Sequence, residues 1–195
     1  DLPDIEVTLK VGNRQATIAA LSRGEFDLCI MGRPPRQPLV EAAPLADHPH
    51  VIIAAADHPL AGRDNVPVDA LLNESFVVRE PGSGTRILAT RYLEEIGHPQ
   101  EGNILEMSSN ETIKQAVING LGIALISAHT VTEELRLGRL AALKCAGLPI
   151  LRKWFLLSRP DKPLSPAACK VRDWIEDHPA QIFPEMPQPG ESSGT

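Results

Sequence analysis

Residues 103–126 read Asn-Ile-Leu-Glu-Met-Ser-Ser-Asn-Glu-Thr-Ile-Lys-Gln-Ala-Val-Ile-Asn-Gly-Leu-Gly-Ile-Ala-Leu-Ile. Their order predicts strand, capped helix, glycine turn and buried strand. Ser108 and Glu111 have the S-x-x-E spacing of a capping box, in which each side chain satisfies the other residue's backbone N–H. Ile113, Ala116 and Val117 mark one face of the helix, and Gly120 marks its end. Gly122-Ile-Ala-Leu-Ile126 follows as a continuous apolar run, as in a strand covered on both faces. Such a βαβ unit leaves free N–H groups at the helix start, beside the carboxyl ends of the strands, where a small anionic or polar ligand can bind.

The same pattern extends in both directions. Asp4 to Val11 alternates Ile5, Val7, Leu9 and Val11 with charged or polar neighbours, the period-two signature of a half-covered strand. Asn13 is placed to cap a helix that runs to Arg23 and closes at Gly24. Phe26–Met31 is a second strand, so strand, helix and strand imply a right-handed crossover and a parallel sheet. His50–Ala56 and Ser75–Arg79 are further strands, and a helix ends at Gly97 with Leu88, Tyr92 and Ile96 on one face. A helix is expected around Val131–Leu137, and 140–150 reads as irregular. A strand covers 152–158, and Ser165-Pro166 opens the last helix. Trp154 and Trp174 are expected to pack that strand against that helix. Beyond 185 the Pro-, Gly- and Ser-rich composition reads as a frayed tail.

These elements describe an α/β protein made of two Rossmann-like subdomains joined by a two-strand hinge. Subdomain I takes residues 1–47 and 151–180, subdomain II takes 48–150, and 185–195 is the tail. A hinge of this kind places a ligand cleft between the lobes.

Bulk properties narrow the function. The chain has 195 residues with 43% hydrophobic content, enough for a real core. Its net charge of −6 supplies no basic stripe to hold DNA by itself. No apolar run reaches the ~18 residues of a membrane span, so no membrane partner is expected. The three cysteines, Cys29, Cys145 and Cys169, lack CxxC spacing and fit a reducing, cytoplasmic setting. Cys29 lies in an apolar run and reads as a small buried hydrophobe.

Within Pro81-Gly-Ser-Gly-Thr-Arg86, Gly82 and Gly84 allow close backbone approach, and Ser83 and Thr85 offer hydroxyls. Arg86 can grip an oxyanion with two parallel hydrogen bonds. Ser109 and Asn110 stand in the first turn of the helix described above and can cap it, present donors to a ligand, or both. Arg33 follows the strand ending at Met31 and can reach a phosphate or carboxylate at the sheet edge. The stretch is not a P-loop, because the G-x-x-x-x-G-K-[ST] lysine and spacing are missing. His48, His50 and His58 have no carboxylate or cysteine cluster to complete a metal site, so no metal and no cofactor are expected. Ser83 matches only part of the G-x-S-x-G elbow of a hydrolase, and no catalytic residue is assigned.

Five motifs in order carry a family resemblance over residues 1–178. They are Pro3-Asp-Ile-Glu-Val-Thr-Leu, Leu21-Ser-Arg-Gly-Glu-Phe-Asp-Leu-Cys-Ile, Asp57-His-Pro-Leu-Ala-Gly62, Phe76-Val-Val-Arg-Glu-Pro-Gly-Ser-Gly-Thr-Arg86 and Ala116-Val-Ile-Asn-Gly-Leu-Gly-Ile-Ala-Leu-Ile-Ser127. Together they resemble the effector-binding domain of LysR-type transcriptional regulators, with its periplasmic-binding-protein-like fold. Val11-Gly-Asn-Arg14, Met31-Gly-Arg-Pro-Pro35 and Ser109-Asn-Glu-Thr-Ile-Lys-Gln115 are similar to the regulators of carbon-fixation operons.

The resemblance implies an effector that is a small anionic metabolite, a phosphorylated sugar or NADPH, contacted by Arg33, Gly82, Ser83, Gly84, Thr85, Arg86, Ser109 and Asn110. It implies a homodimer or homotetramer in which Val7, Leu9 and the helix 14–23 meet the helix 112–119 of a partner. Operator DNA is expected as a partner only through an N-terminal winged helix-turn-helix that this chain lacks. The family's domain also begins one strand and one helix before Asp1. An extracytoplasmic solute-binding protein of a transport system, with the same two-lobed fold, is the alternative.

Overall fold

The computed structural model describes residues 2–98 and 103–185. In chain order its elements are α1 (Arg14–Ser22), β1 (Cys29–Met31), β2 (Glu41–Ala55), α2 (Val68–Leu72), β3 (Phe76–Arg79), α3 (Gly84–Glu95), β4 (Ile104–Met107), α4 (Asn110–Ile118), β5 (Ala124–Ser127), α5 (Thr132–Arg136), β6 (Leu140–Leu143), β7 (Ile150–Ser158), α6 (Pro166–Asp177) and α7 (Pro179–Ile182). The protein is mixed α/β and divides into two units. Unit 1 holds the residues up to His48 together with Arg152–Pro184, and unit 2 is built on Pro49–Leu151. The chain passes from unit 1 to unit 2 inside β2 and returns inside β7. The tail expected over 185–195 lies, after Glu185, outside the described residues.

In unit 2, β3 and β4 pair in parallel, with Phe76 opposite Ile104 and Arg79 opposite Met107. On the other side of β3 the chain entering β5 joins through Ile123 N–H to Ser75 O and Val77 N–H to Ile123 O, both 2.8 Å. The second part of β2 then pairs antiparallel with β5 and with β6. Alternate residues face opposite sides, as strand geometry requires. Ile52, Ala54, Phe76, Val78, Ile123 and Leu125 share one core with Leu88, Ala89, Tyr92 and Leu93 of α3. Val51, Ile53, Val77, Ala124 and Ile126 share another with Ile113, Ala116 and Val117 of α4. The sheet is therefore covered on both faces, which explains the unbroken apolar run of β5.

The helix of the opening motif starts one residue later than its capping box predicts. Ser109, not Ser108, is the N-cap, its Oγ accepting from Thr112 N–H at 3.1 Å. Glu111 pairs instead with Lys114 at 2.8 Å, and Lys114 also reaches Glu134 of α5 at 2.8 Å. Carboxylate hydrogen bonds of this kind hold Lys114 above its ordinary range, although burial alone lowers it.

Unit 1 departs further from expectation. Residues 4–11 form no strand, and among the described residues no ladder partner meets them. The alternating apolar residues are left bare, with Val7 63%, Leu9 84% and Val11 91% exposed. A period-two pattern becomes a strand only when a neighbour accepts its backbone bonds. The parallel crossover is absent for the same reason, and β1 pairs antiparallel with β7. The start of β2, at Glu41–Pro49, was not legible because Pro44 and Pro49 argue against a strand. β6 sits within the stretch 140–150 that reads as irregular, held by its pairing to β2.

Other unit 1 features follow the sequence. Asn13 caps α1 by accepting from Ala16 N–H at 2.9 Å, and Ser165 caps α6 with Pro166 in the first turn. The carbonyls at the end of α1 are met by cations, which suits the negative end of a helix: Arg159 donates to Ser22 O at 2.7 Å and Lys162 to Gly24 O at 2.9 Å. The tryptophans do not follow it, for their ring partners are not on each other's element: Trp154 stacks on His48, with ring centroids 3.8 Å apart, and on Phe183, whereas Trp174 stacks on His178. Cys29 and Cys145 are buried, and burial pushes each thiol up to about 11.

Gly122 has φ +149°, and a Cβ there would lie 2.3 Å from the Ser75 carbonyl oxygen. Gly122→Ala is expected to cost ~3 kcal/mol or more in urea unfolding, because the clash is with backbone and must part β5 from β3. Gly120→Ala, with φ +74° but open space around it, should cost only about 1 kcal/mol.

Candidate functional site

β3 and β4 are neighbours, but the helices that follow them leave in opposite directions. The preceding cores show it, since α3 packs on one face of the sheet and α4 on the other. Where adjacent parallel strands send their helices to opposite faces, a crevice opens at the strands' carboxyl ends. Here that point carries the loops Glu80–Ser83 and Ser108–Ser109. The two loops are tied together by Glu80 N–H donating to Met107 O at 3.0 Å.

Both loops end as helix N-caps. Ser83 is extended, buried at 3% exposure, and makes no side-chain cap hydrogen bond to α3. Gly82 before it has φ +89°, a left-handed turn that suits only glycine. The first N–H groups of α3, with the Thr85 hydroxyl, therefore open at the crevice with the positive end of the helix dipole. Ser109 caps α4, and its Oγ also lies 3.0 Å from Thr112 Oγ1, so this hydroxyl is engaged within its own helix.

The charged groups are paired. Arg79, the last residue of β3, holds Glu80 through Nε at 2.7 Å and Nη2 at 3.0 Å. Its Nη1 donates to Asn110 Oδ1 at 2.6 Å, which fixes the start of α4 to the end of β3. The amide oxygen of Asn110 is thereby used, and its NH2 is the group able to donate to a ligand. Arg86 Nη1 donates to Arg79 O at 2.8 Å and to Glu106 Oε2 at 3.1 Å. Arg86 thus braces α3 against both strands.

The structure brings Gly82, Ser83, Gly84, Thr85, Arg86, Ser109 and Asn110 to one sheet edge in unit 2. Arg33 belongs to unit 1, at the end of β1, where its carbonyl accepts from Arg14. Arg79, Glu80 and Glu106 were missed as part of the site. The only signal was a charged pair closing an apolar strand, and nothing in one sequence says that Asn110 lies opposite. His58 faces Glu74 at 3.4 Å and accepts from Leu60 N–H, and His48 is held in the Trp154 stack. Among the described residues no three His, Cys, Asp or Glu side chains are grouped to hold a metal, and no helix is long and apolar enough to cross a membrane.

A family model described as "LysR substrate binding domain" matches residues 1–180. The chain belongs to this family. Over 185 residues it is 50% identical to the HTH-type transcriptional regulator CbbR of Cereibacter sphaeroides, covering 95% of this chain and 60% of that protein. It is 41% identical over 178 residues to the RuBisCO operon transcriptional regulator of Allochromatium vinosum, covering 91% of this chain and 59% of that protein. The chain therefore spans about three-fifths of the curated relatives it matches. Among solved structures, the regulatory domain of CcmR from Synechocystis PCC6803, in complex with 2-PG, superposes with a TM-score of 0.82 at 36% identity. That match covers 95% of this chain and 86% of the other. Membership in a LysR family supports the two-subdomain, periplasmic-binding-protein-like fold and disfavours the transport-protein alternative.

Because Arg86 bridges Arg79 O and Glu106, Arg86→Ala is expected to lower stability by about 1–2 kcal/mol in urea unfolding, with ligand present or absent. A side chain that serves only to grip ligand would leave the ligand-free midpoint unchanged.

Proposed function

We propose that this chain is the effector-sensing domain of a transcription regulator of carbon-fixation operons, and that it binds a small anionic metabolite. The observation that carries the reading is the convergence of the α3 and α4 N-termini at the β3–β4 crevice. Backbone N–H groups at Gly84 and Thr85, the hydroxyls of Ser83 and Thr85, and the Asn110 amide are the donors there, with Ser109 shaping the second helix start. Arg33, in unit 1, is a further effector contact in this reading. The effector is a phosphorylated sugar, or NADPH, consistent with 2-PG bound to the CcmR regulatory domain. The mechanism is a shift between two arrangements of the protein, limited to the difference in effector affinity between them.

The longer relatives are HTH-type regulators, so operator DNA is contacted by a part of the whole protein outside this chain, in the cytoplasm. The domain works as a homodimer or as a dimer within a homotetramer. The exposed Val7 and Leu9 with α1 of one protomer cover α4 of another, which removes apolar surface that a monomer leaves in water.

Calorimetric titration with ribulose bisphosphate, NADPH, phosphoenolpyruvate and sulfate tests the reading. At least one phosphorylated metabolite should bind in the micromolar range, and the double variant S83A/T85A should weaken it about tenfold or more. Absence of binding by all four to folded wild-type protein would overturn it. For the assembly, light scattering should give a dimer at micromolar concentration, converted to monomer by V7K/L9K. A wild-type monomer at that concentration would defeat the dimer.

A further inference from the structure

Asn13, Ser109 and Ser165 each cap the helix they precede with a side-chain oxygen. Two other serines stand before a helical turn and do not. Ser83 precedes α3 and Ser127 precedes the short turn Ala128–Thr130, neither makes a side-chain cap hydrogen bond, and both are 3% exposed. The Ser127 carbonyl accepts from Thr130 Oγ1 at 2.7 Å, whereas its buried hydroxyl meets no hydrogen-bond partner among the described residues. Burying a hydroxyl with nothing to bond loses its hydration without replacement, so one kept in that state needs a reason. Tyr92 Oη is also buried without a partner, but there the ring fills the core of unit 2. Serine brings no such apolar area.

Strand alternation says which way the hydroxyl points. At β5, Ile123 and Leu125 belong to the core shared with α3, and Ala124 and Ile126 to the core shared with α4. Ser127, the next residue of the first series, therefore faces α3. Ile52 and Ala54 of β2 face α3 as well, and His50 in that series is 4% exposed and stands directly opposite Ser127 in the ladder. Phe76 bridges Ile123 in parallel, and four residues further along both strands Glu80 comes beside Ser127. The last layer of the sheet on this face is thus His50, Ser127 and Glu80, where the layers before it are apolar. A helix that joins parallel strands runs back along them, so the first turn of α3 is the part that lies at this polar layer. The Glu80 carboxylate is held by Arg79 at 2.7 and 3.0 Å. The Ser127 hydroxyl and the first N–H groups of α3, at the positive end of its dipole, share the space that remains.

We propose that Ser127 Oγ is the innermost hydrogen-bond donor to a phosphoryl group of the effector, held between that hydroxyl and the first N–H groups of α3. The inference rests on the effector reading above and adds to it a residue of the sheet itself. Ser83 and Thr85 belong to the loop and first turn that carry the rim of the crevice. Ser127 belongs to a strand covered on both faces, so its position is set by the core and it forms the floor. A phosphoryl group suits such an arrangement, because its three oxygens accept from several directions at once. A neutral donor also adds a bond there without adding charge beside the Arg79–Glu80 pair.

The test compares S127A and S127C with wild type in three measurements. These are urea unfolding without ligand, calorimetric titration with phosphoenolpyruvate and ribulose bisphosphate, and Tm in inorganic phosphate against chloride at matched ionic strength. Ligand-free S127A should unfold at the wild-type urea concentration or above it, since no internal bond is lost. Its affinity for the metabolite that binds should fall about tenfold, and its phosphate-dependent rise in Tm should shrink. S127C, whose thiol is a weaker donor, should fall between the two. A lower ligand-free midpoint in S127A marks a hydroxyl already bonded within the protein and overturns the proposal, as does wild-type affinity in S127A. If S83A/T85A loses the metabolite and S127A keeps it, the effector reading stands and the role of Ser127 falls. If no metabolite binds wild type, the effector reading fails. The Ser127 site then stands only if phosphate raises the wild-type Tm and S127A loses that rise, and any other result overturns it too.

Discussion

The Ser75 carbonyl passes so close to residue 122 that only a glycine leaves room for β5 to reach β3. Without that approach β3 would be an edge strand. With it, β3 has β4 on one side and β5 on the other, and its residues must bury on both faces. The two crossover helices then take one face each, α3 with Leu88 and Tyr92, α4 with Ile113 and Val117. The diverging helices create the crevice, and their free N–H groups make it an anion-accepting place. A missing side chain at one residue thus underlies the arrangement from sheet order to ligand chemistry.

What could be read from the sequence was what local chemistry decides. Asn13, Ser165 and the Gly120 turn act on neighbours a few residues away, and all three stand as their patterns predict. The α4 cap slipped from Ser108 to Ser109 because two adjacent serines offer the same hydroxyl, and β4 ends at Met107 only through its register with Arg79. Residues 4–11 show the converse. Their alternation is as regular as any in the chain, yet a strand also needs a partner, and periodicity says nothing about one. Of the candidate site, Gly82–Arg86 and Ser109–Asn110 were visible because glycines and hydroxyls at helix starts have local signatures. Arg79 with Asn110, and Arg14 with Arg33, are contacts across 31 and 19 residues, and one sequence does not record them.

The two units treat charge differently. In unit 2 each site arginine has an acid beside it, Glu80 for Arg79 and Glu106 for Arg86. An anion arriving there meets neutral donors and helix dipoles, which judge shape and hydrogen-bond geometry more than net charge. In unit 1, Arg14 and Arg33 form no ion pair with a carboxylate among the described residues. Burial raises the Cys29 and Cys145 thiols to about 11 each and so favours their protonated forms.

This division bears on how a sensor of this fold can switch. A ligand moves an equilibrium only by binding one state better than another, so the useful energy is energy that depends on the state. Neutral hydrogen bonds change little when geometry shifts by a few tenths of an ångström and water can replace them. A charge–charge interaction differs, because its size depends on how far apart the groups stand and on how much water screens them. The turn that carries Arg33 rests on His48, the last residue of β2 in unit 1, and His48 is stacked on Trp154 of β7. Those two strands are the chain's passages between the units. The two crossing strands are thus tied to each other by the His48–Trp154 stack within unit 1, and close packing resists a displacement that a flexible loop would absorb.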